Sequence, residues 1–372
     1  MRGCCLLPLL AVVAAGCASI TAGQPISTTI PSPPPIPTDL HPSVAILEPD
    51  DPPTPEPSPT VFVPMLRRLT EPGCCVQPFW SADGRMVLFI DQPQPTAPTG
   101  IYGVSVEGGE PVLISEQIAL PSPDGAYRAY LSDEGETIVE SASGDGQWVI
   151  PNGGLRVFFS PHSVRLAWGR TERSGNFDQR PTVVSISGID GSNPREVITV
   201  YGGGIAGWLD DDRLLLVGRD RGRSQDVALF SLSVVDGTRT DLITNQRIRS
   251  VRIAPGGEWV MYLIALDPDG PVEDGLWVIK ADGSQRYKLE VAGAAQWRDP
   301  THLLIIPYEP GAPSHRLWQF DAETGQAMPL TDPAVTPFRV ANADWAISPM
   351  GEAVVFVNAD DQALWVITLP PL

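Results

Sequence analysis

Beyond residue 64 the chain alternates apolar and polar positions in short runs, each bounded by Pro, Asp, Gly or Ser. Alternation of that length is the pattern of half-buried β-strands separated by tight turns. The runs recur as a unit of about 45 residues, a period that points to repeats such as propeller blades. Each unit opens on an apolar strand that enters a turn. The clearest copies are Pro78-Phe79-Trp80-Ser81-Ala82-Asp83-Gly84 and Leu120-Pro121-Ser122-Pro123-Asp124-Gly125. Further copies stand at Phe158-Phe159-Ser160-Pro161, Gly207-Trp208-Leu209-Asp210, Arg252-Ile253-Ala254-Pro255-Gly256-Gly257, Gln296-Trp297-Arg298-Asp299-Pro300 and Ala346-Ile347-Ser348-Pro349-Met350-Gly351. Pro pre-sets φ and Gly supplies positive φ, which is what a tight turn requires.

A second strand follows each opening, as in Met86–Ile90 and Trp259–Leu263. A third carries an apolar-aromatic pair, such as Ile101-Tyr102, Leu229-Phe230 or Leu364-Trp365. Hairpin signals at Asp190-Gly191, Asp236-Gly237 and Asp282-Gly283 lead into a fourth, exemplified by Asp241–Thr244. Four strands in each of seven units predict an all-β fold, a seven-bladed β-propeller of four-stranded antiparallel blades. The last unit stops after its third strand, while an orphan strand, Met65–Thr70, precedes the first. Pairing of that orphan with the last unit would close the ring and leave no open sheet edge there.

The first 17 residues read as an address. Arg2 precedes an apolar run from Cys4 to Val13, too short for a permanent membrane span and of signal-peptide length. Ala14-Ala15-Gly16-Cys17 resembles the bacterial lipoprotein box, in which the Cys thiol receives diacylglycerol, although Ala14 stands where Leu is usual. Ordinary secretory cleavage with Cys17 incidental is the competing reading. Residues 18–63 are rich in Pro, Ser and Thr and lack the apolar periodicity of a core, so they are expected to act as a disordered, extended tether. The remaining 64–372 form the propeller domain.

The strand-turn signature, best preserved at Phe79–Gly84 and Leu120–Gly125, resembles that of TolB-type, WD-repeat-like β-propellers across roughly residues 65–370. That resemblance implies a fold and little about function, because its relatives include periplasmic and lipoprotein binding modules as well as the non-catalytic propellers of peptidases. No Gly-x-Ser-x-Gly elbow and no α/β domain accompany the ring, so peptidase chemistry lacks its usual half.

Composition narrows the function. Forty-four Asp+Glu against 25 Lys+Arg give a net charge of −19, which argues against nucleic acid and against electrostatic docking on anionic lipid. Five Cys and four His leave little for a metal cluster, and no cofactor or metal is expected. Cys74-Cys75 could form a strained vicinal disulfide or remain two separate thiols. Asp210-Asp211-Asp212 and Asp267-Pro268-Asp269-Gly270 resemble calcium loops in composition without the full ligand spacing. His162, His302 and His315 fall in different units and read as turn or surface residues.

Two groups of residues are candidates for binding. Arg170, Arg173, Arg180, Arg219, Arg221, Arg223, Arg247 and Arg249 are eight of the 25 cations, gathered in adjacent loops that share one face. They suit a carboxylate, a phosphate or an acidic protein surface, whereas the simpler reading is solvated loop charge balanced by nearby carboxylates. Gln77, Arg156, Arg252, Gln296 and Asp344 occupy polar phases of the first strands, which line the channel in this architecture. They are expected to serve as channel-wall groups or as links between units. Trp80, Trp208 and Trp297 share a phase and are expected to pack between units. The resulting expectation is a monomeric, lipid-anchored extracytoplasmic module that binds an envelope protein or anionic ligand. A glycosidase or peptidase-related hydrolase with carboxylates at the channel is the alternative.

Overall fold

The computed structural model describes residues 62–372, apart from 74–75, 95, 221–226, 245–246 and 267–271. Cys17, the leader and residues 18–61 lie outside the described residues, as do Cys74, Cys75, Arg221, Arg223 and the Asp267–Gly270 segment.

β1 (Leu66–Arg68) precedes β2 (Val76–Trp80), β3 (Met86–Asp91), β4 (Gly100–Ser105) and β5 (Val112–Ser115), of which β2 to β5 form one antiparallel sheet. β6 (Leu120–Pro121), β7 (Tyr127–Leu131), β8 (Thr137–Ser141) and β9 (Gln147–Ile150) form the next. A single seven-stranded sheet then contains β10 (Phe158–Phe159), β11 (Arg165–Thr171), β12 (Pro181–Gly188), β13 (Arg195–Trp208), β14 (Arg213–Arg219), β15 (Ala228–Ser233) and β16 (Arg239–Thr244). β17 (Ile248–Ile253), β18 (Trp259–Ile264), β19 (Gly275–Lys280) and β20 (Arg286–Lys288) make a four-stranded sheet. So do β21 (Gly293–Trp297), β22 (His302–Pro307), β23 (Trp318–Asp321) and β24 (Ala327–Pro329). The last sheet has the order β1-β27-β26-β25, with β25 (Val340–Ile347), β26 (Ala353–Asn358) and β27 (Leu364–Thr368). The fold is an all-β propeller, and the one helical element among the described residues is a 3-10 turn at Phe177–Gln179. No helix among them is long and apolar enough to cross a membrane.

Seven separate four-stranded sheets were expected; five are found, and units three and four are joined. The reason lies in β13, which pairs with β12 through its first half and with β14 through its second. Where a loop was expected, the chain runs on through Gly202-Gly203-Gly204, and the register shifts between Tyr201 and Gly204. A Cβ on Gly203 would lie 1.9 Å from the Val217 carbonyl oxygen, so only glycine lets β13 approach β14 without a break. The orphan strand does pair with the last unit: Leu66 faces Ile367 and Arg68 faces Trp365.

Alternation places the core between neighbouring sheets. On β3, Val87 and Phe89 are buried against Val355, Val357 and Val366 of the last sheet, while Met86, Leu88 and Ile90 face the other way. The indoles add specific ties. Trp80 Nε1 donates to the Ala346 carbonyl at 3.1 Å, Trp208 Nε1 to Phe158 at 3.0 Å and Trp297 Nε1 to Arg252 at 3.2 Å. Each indole thus reaches the first strand of the preceding unit, one residue before the position equivalent to its own. That packing role was legible from the shared phase, because a buried indole N–H needs an acceptor.

Turn carboxylates make a second set of ties. Burial works to raise the carboxyl pKa of Asp124, yet the Ser122 and Ser163 hydroxyls and the Ala126 N–H hold it below 3.8. Burial is likewise outweighed at Asp299 by the N–H groups of Thr301 and His302 and by the His302 ring. For His315, burial and then the Arg339 charge lower the ring pKa below 6.5, and the neutral Nδ1 accepts the Val340 N–H at 3.2 Å. All three folded values lie below the unfolded ones, so the unfolded chain binds protons more readily. The associated stability is present above the unfolded pKa and is lost as pH falls through the folded pKa. Relative to His315→Gln, the wild-type chain should therefore lose stability as pH falls below about 6.5, and relative to Asp299→Asn below about pH 4. Urea unfolding at each pH checks both; a pH-independent difference would contradict the assignment.

Candidate functional site

First strands and the turns that follow them, from five consecutive units, line a cleft of about 660 Å³. Phe159, Ala206, Trp208, Val251, Ile253 and Trp297 give it apolar walls, and Pro123, Pro161, Pro255 and Gly256 form its rim. Arg252 and Gln296 supply its long polar side chains. Arg252 is exposed and has no ion-pair partner among the described residues, while its carbonyl accepts the Trp297 indole N–H. Gln296 is half-buried, and its Nε2 donates to the Trp345 carbonyl at 2.7 Å, which ties unit six to unit seven and leaves its Oε1 for other partners.

The other three channel candidates are absent from this lining. Gln77 is exposed and has φ 51°, in the left-handed region, within a register break between Val76 and Phe79. Ser250 repeats that feature between Arg249 and Arg252, as do Asn342 and Ala343 between Val340 and Trp345. These bulges interrupt period two, so facing cannot be counted back along the first strands of units one, five and seven. Arg156 is exposed beside the Phe158 ring, its guanidinium carbon 5.5 Å from the centroid. Asp344 is half-buried in β25.

The basic loops do not form a bare cluster of guanidiniums. Arg170 at the end of β11 lies 3.5 Å from the Glu196 carboxylate. Arg219 at the end of β14 is largely buried and donates to Asp178 at 3.2 Å. Arg180 donates through Nε to the Gly175 carbonyl at 3.1 Å, and its own carbonyl accepts the Gly202 N–H at 3.0 Å. Arg180 and Arg219 therefore meet around the glycine bend of β13. Arg249 donates to the Ile248 carbonyl at 3.0 Å, and Arg173 and Arg247 are exposed. The balanced-charge reading accounts for Arg170 and Arg219, each of which faces a carboxylate.

The acidic run and the histidines also resolve into local ties. Asp210 takes Arg213 at 2.7 Å, Asp211 takes the His162 ring at 2.8 Å, and Asp212 takes Arg165. His302 Nδ1 contacts Asp299 at 2.9 Å. No group of three or more His, Cys, Asp and Glu side chains able to hold a metal occurs among the described residues. Sequence reasoning missed Arg298, buried at a position where four of the other units carry Ser. Its Nε donates to the Gly351 carbonyl at 2.8 Å and its Nη1 to Gln319 at 2.6 Å, with Nη2 on the Pro370 carbonyl. Its departure from the Ser-Pro-Asp-Gly pattern was the available signal.

No protein-family model matches the chain, and no curated protein matches it in sequence. Among solved structures it is similar to oligogalacturonate lyase from Vibrio parahaemolyticus, with TM-score 0.57 and 11% identity over 82% of this chain and 93% of that one. It is similar to acylaminoacyl peptidase from Pyrococcus horikoshii, with TM-score 0.54 and 13% identity over 79% of this chain and 52% of that one. TolB from Acinetobacter baumannii matches at TM-score 0.39 and 11% identity over 76% and 78%. At these identities the likeness shows the fold: a β-propeller, as the resemblance to TolB-type, WD-repeat-like propellers implied.

Proposed function

We propose that this chain is a lipid-anchored extracytoplasmic lipoprotein whose propeller is a monomeric, seven-bladed, non-enzymatic scaffold that binds an envelope protein or anionic ligand at the cleft around Arg252. The observation that carries this reading is the cleft lining, in which Arg252 is the one ionisable side chain and no carboxylate, His, Ser or Cys takes part. General acid–base hydrolysis needs a pair of titratable groups across the scissile bond, and covalent catalysis needs an activated nucleophile. A guanidinium among apolar walls supplies instead a charge and a fan of N–H donors for an anionic group. The seven-blade count is supported by β13, whose halves serve as the outer strand of unit three and the inner strand of unit four. The anchor rests on Arg2, the apolar leader and Ala14–Cys17.

The rival is a propeller hydrolase, a glycosidase or peptidase-related enzyme. Expression of the full chain in a bacterial host with an alkynyl palmitate analogue is expected to label the wild type and not Cys17→Ser. The same purified chain is expected to turn over no glycoside, oligogalacturonide or peptide in a substrate panel. Crosslinking in intact envelopes should recover a partner that Arg252→Gln loses. Turnover of any panel substrate would favour the rival, and an unlabelled wild type would remove the anchor.

A further inference from the structure

Buried apolar clusters join unit seven to one, two to three, three to four, four to five, five to six and six to seven. No such cluster joins units one and two among the described residues. Ile101 on β4 and Ile138 on β8 are buried without joining such a cluster, while apolar residues nearer the outer strand β5 are exposed. On β3, Met86 and Leu88 are half-buried, and with Ile114 they close over Gly103, where a Cβ would come within 2.8 to 3.0 Å of all three. On the outer strand β5, Val112 and Ile114 share the Gly103 face and are 53% and 48% exposed, while Leu113, 41% exposed, pairs with Tyr102 and lies on the opposite face of the same edge strand. Ile118, Leu120 and Leu131 extend the exposed apolar surface, and Gln117 Nε2 reaches the Leu131 carbonyl at 3.5 Å across the junction. Single exposed aliphatics are ordinary; a contiguous set along a seam marks an interaction surface.

β5 is also the unguarded edge of the ring. Outer strands elsewhere carry charge or proline: Arg67 and Arg68 on β1, Arg239 and Asp241 on β16, Arg286 and Lys288 on β20, Pro329 on β24. β9 has neither, but its Ile150 is buried and its Trp148 half-buried. β5 reads Val-Leu-Ile-Ser and ends its sheet, so one side of its backbone has no partner strand.

Charge selects the occupant. Between residues 86 and 155 there are ten Asp and Glu and one cation, Arg128, which is paired with Glu140 at 3.0 Å. Glu110 and Glu116 flank β5, and Asp133, Glu134 and Glu136 follow Leu131; all five are exposed. A second copy of this chain, at −19, would bring like charge to that rim. So would its own residues 18–61, with five carboxylates and no Lys or Arg. We propose that the seam between units one and two binds an extended apolar segment of another protein, flanked by Lys or Arg, which adds a strand to β5 while its basic ends meet these carboxylates. This surface is lined by other residues than the cleft around Arg252 and does not depend on the function assigned there.

The test uses the full chain and fluorescein-labelled peptides with an alternating Val/Thr core, flanked at each end by lysines or, as the control, by glutamates. Fluorescence anisotropy should show the lysine-flanked peptide binding at least about tenfold more tightly than the control. Leu113→Lys places a charge on the edge strand and should weaken that binding by about tenfold or more, with the urea midpoint unchanged. The pair Glu110→Gln and Glu116→Gln should narrow the gap between the two peptides without loss of folding. Equal binding of the peptides, no binding of either, or wild-type affinity in Leu113→Lys would overturn the proposal. So would self-association of the chain abolished by Leu113→Lys, which would make the occupant a second copy.

Discussion

Deletion of Phe62–Thr70 is expected to abolish the cooperative unfolding transition and to leave an aggregation-prone chain. These residues supply β1, the outer strand of the sheet that otherwise contains the three carboxy-terminal strands. Beyond the ladder, the Leu69 N–H donates to the Leu364 carbonyl at 2.8 Å, and the Leu364 N–H donates to Thr70 Oγ1 at 3.0 Å. Leu69 is 4% exposed and packs in the cluster that holds unit seven to unit one. Without β1, the β27 backbone becomes an open edge of Leu-Trp-Val-Ile-Thr, a template for pairing with other chains. The point variant Leu69→Ala keeps the strand and should cost about 3 kcal/mol through lost burial and the cavity left behind. Urea unfolding and light scattering on the full chain read both effects. A deletion variant with a wild-type midpoint and no scattering would show that ring closure contributes nothing to stability.

Arg298→Met is expected to destabilise the protein by about 3 kcal/mol. The guanidinium is 5% exposed and spans the junction of units six and seven, holding the Gly351 carbonyl, the Gln319 amide oxygen and the Pro370 carbonyl. Burial lowers its pKa, and the nearby Asp299 charge acts in the opposite sense. Methionine restores much of the volume but leaves three buried or part-buried acceptors without these donors, and such groups keep their desolvation cost when the partner is removed. Arg298→Lys should recover less than half of the loss, because a point ammonium cannot serve three diverging acceptors as a planar fork does. Equilibrium unfolding of the three proteins decides the matter; a wild-type midpoint for Arg298→Met would assign the network no energetic role.

Both expectations concern how the ends and turns of different units meet, which is where sequence reading and structure part company. The repeat itself was legible because each unit carries its own turn chemistry: Ser81 Oγ bonds Asp83 and Ser122 Oγ bonds Asp124, both at 2.6 Å, contacts between near neighbours in the chain. The pairing of β1 with β27 was legible for a topological reason, since an orphan strand at one end matched a missing strand at the other. Gln77 escaped the same logic. Alternation locates a side chain only while the backbone stays extended, and one left-handed residue breaks the count.

The candidate cleft was half legible. Arg252 and Gln296 were marked by polarity in an apolar strand, but their convergence depends on strands and turns supplied by five units. The basic loops were marked by density of charge, whereas the partners Asp178 and Glu196 come from other segments and reduce the field that the density suggested. Sequence by itself determined the strand period, the turn positions, the mixed-end sheet and the acidic balance, all properties carried by residues close in the chain or by simple sums. Tertiary structure alone decided that β13 runs unbroken through two units, that Arg298 replaces a turn serine to tie two blades, and that no buried apolar cluster among the described residues joins units one and two. Those outcomes depend on which surfaces face one another around the ring, and a repeat that looks alike in every copy does not encode that locally.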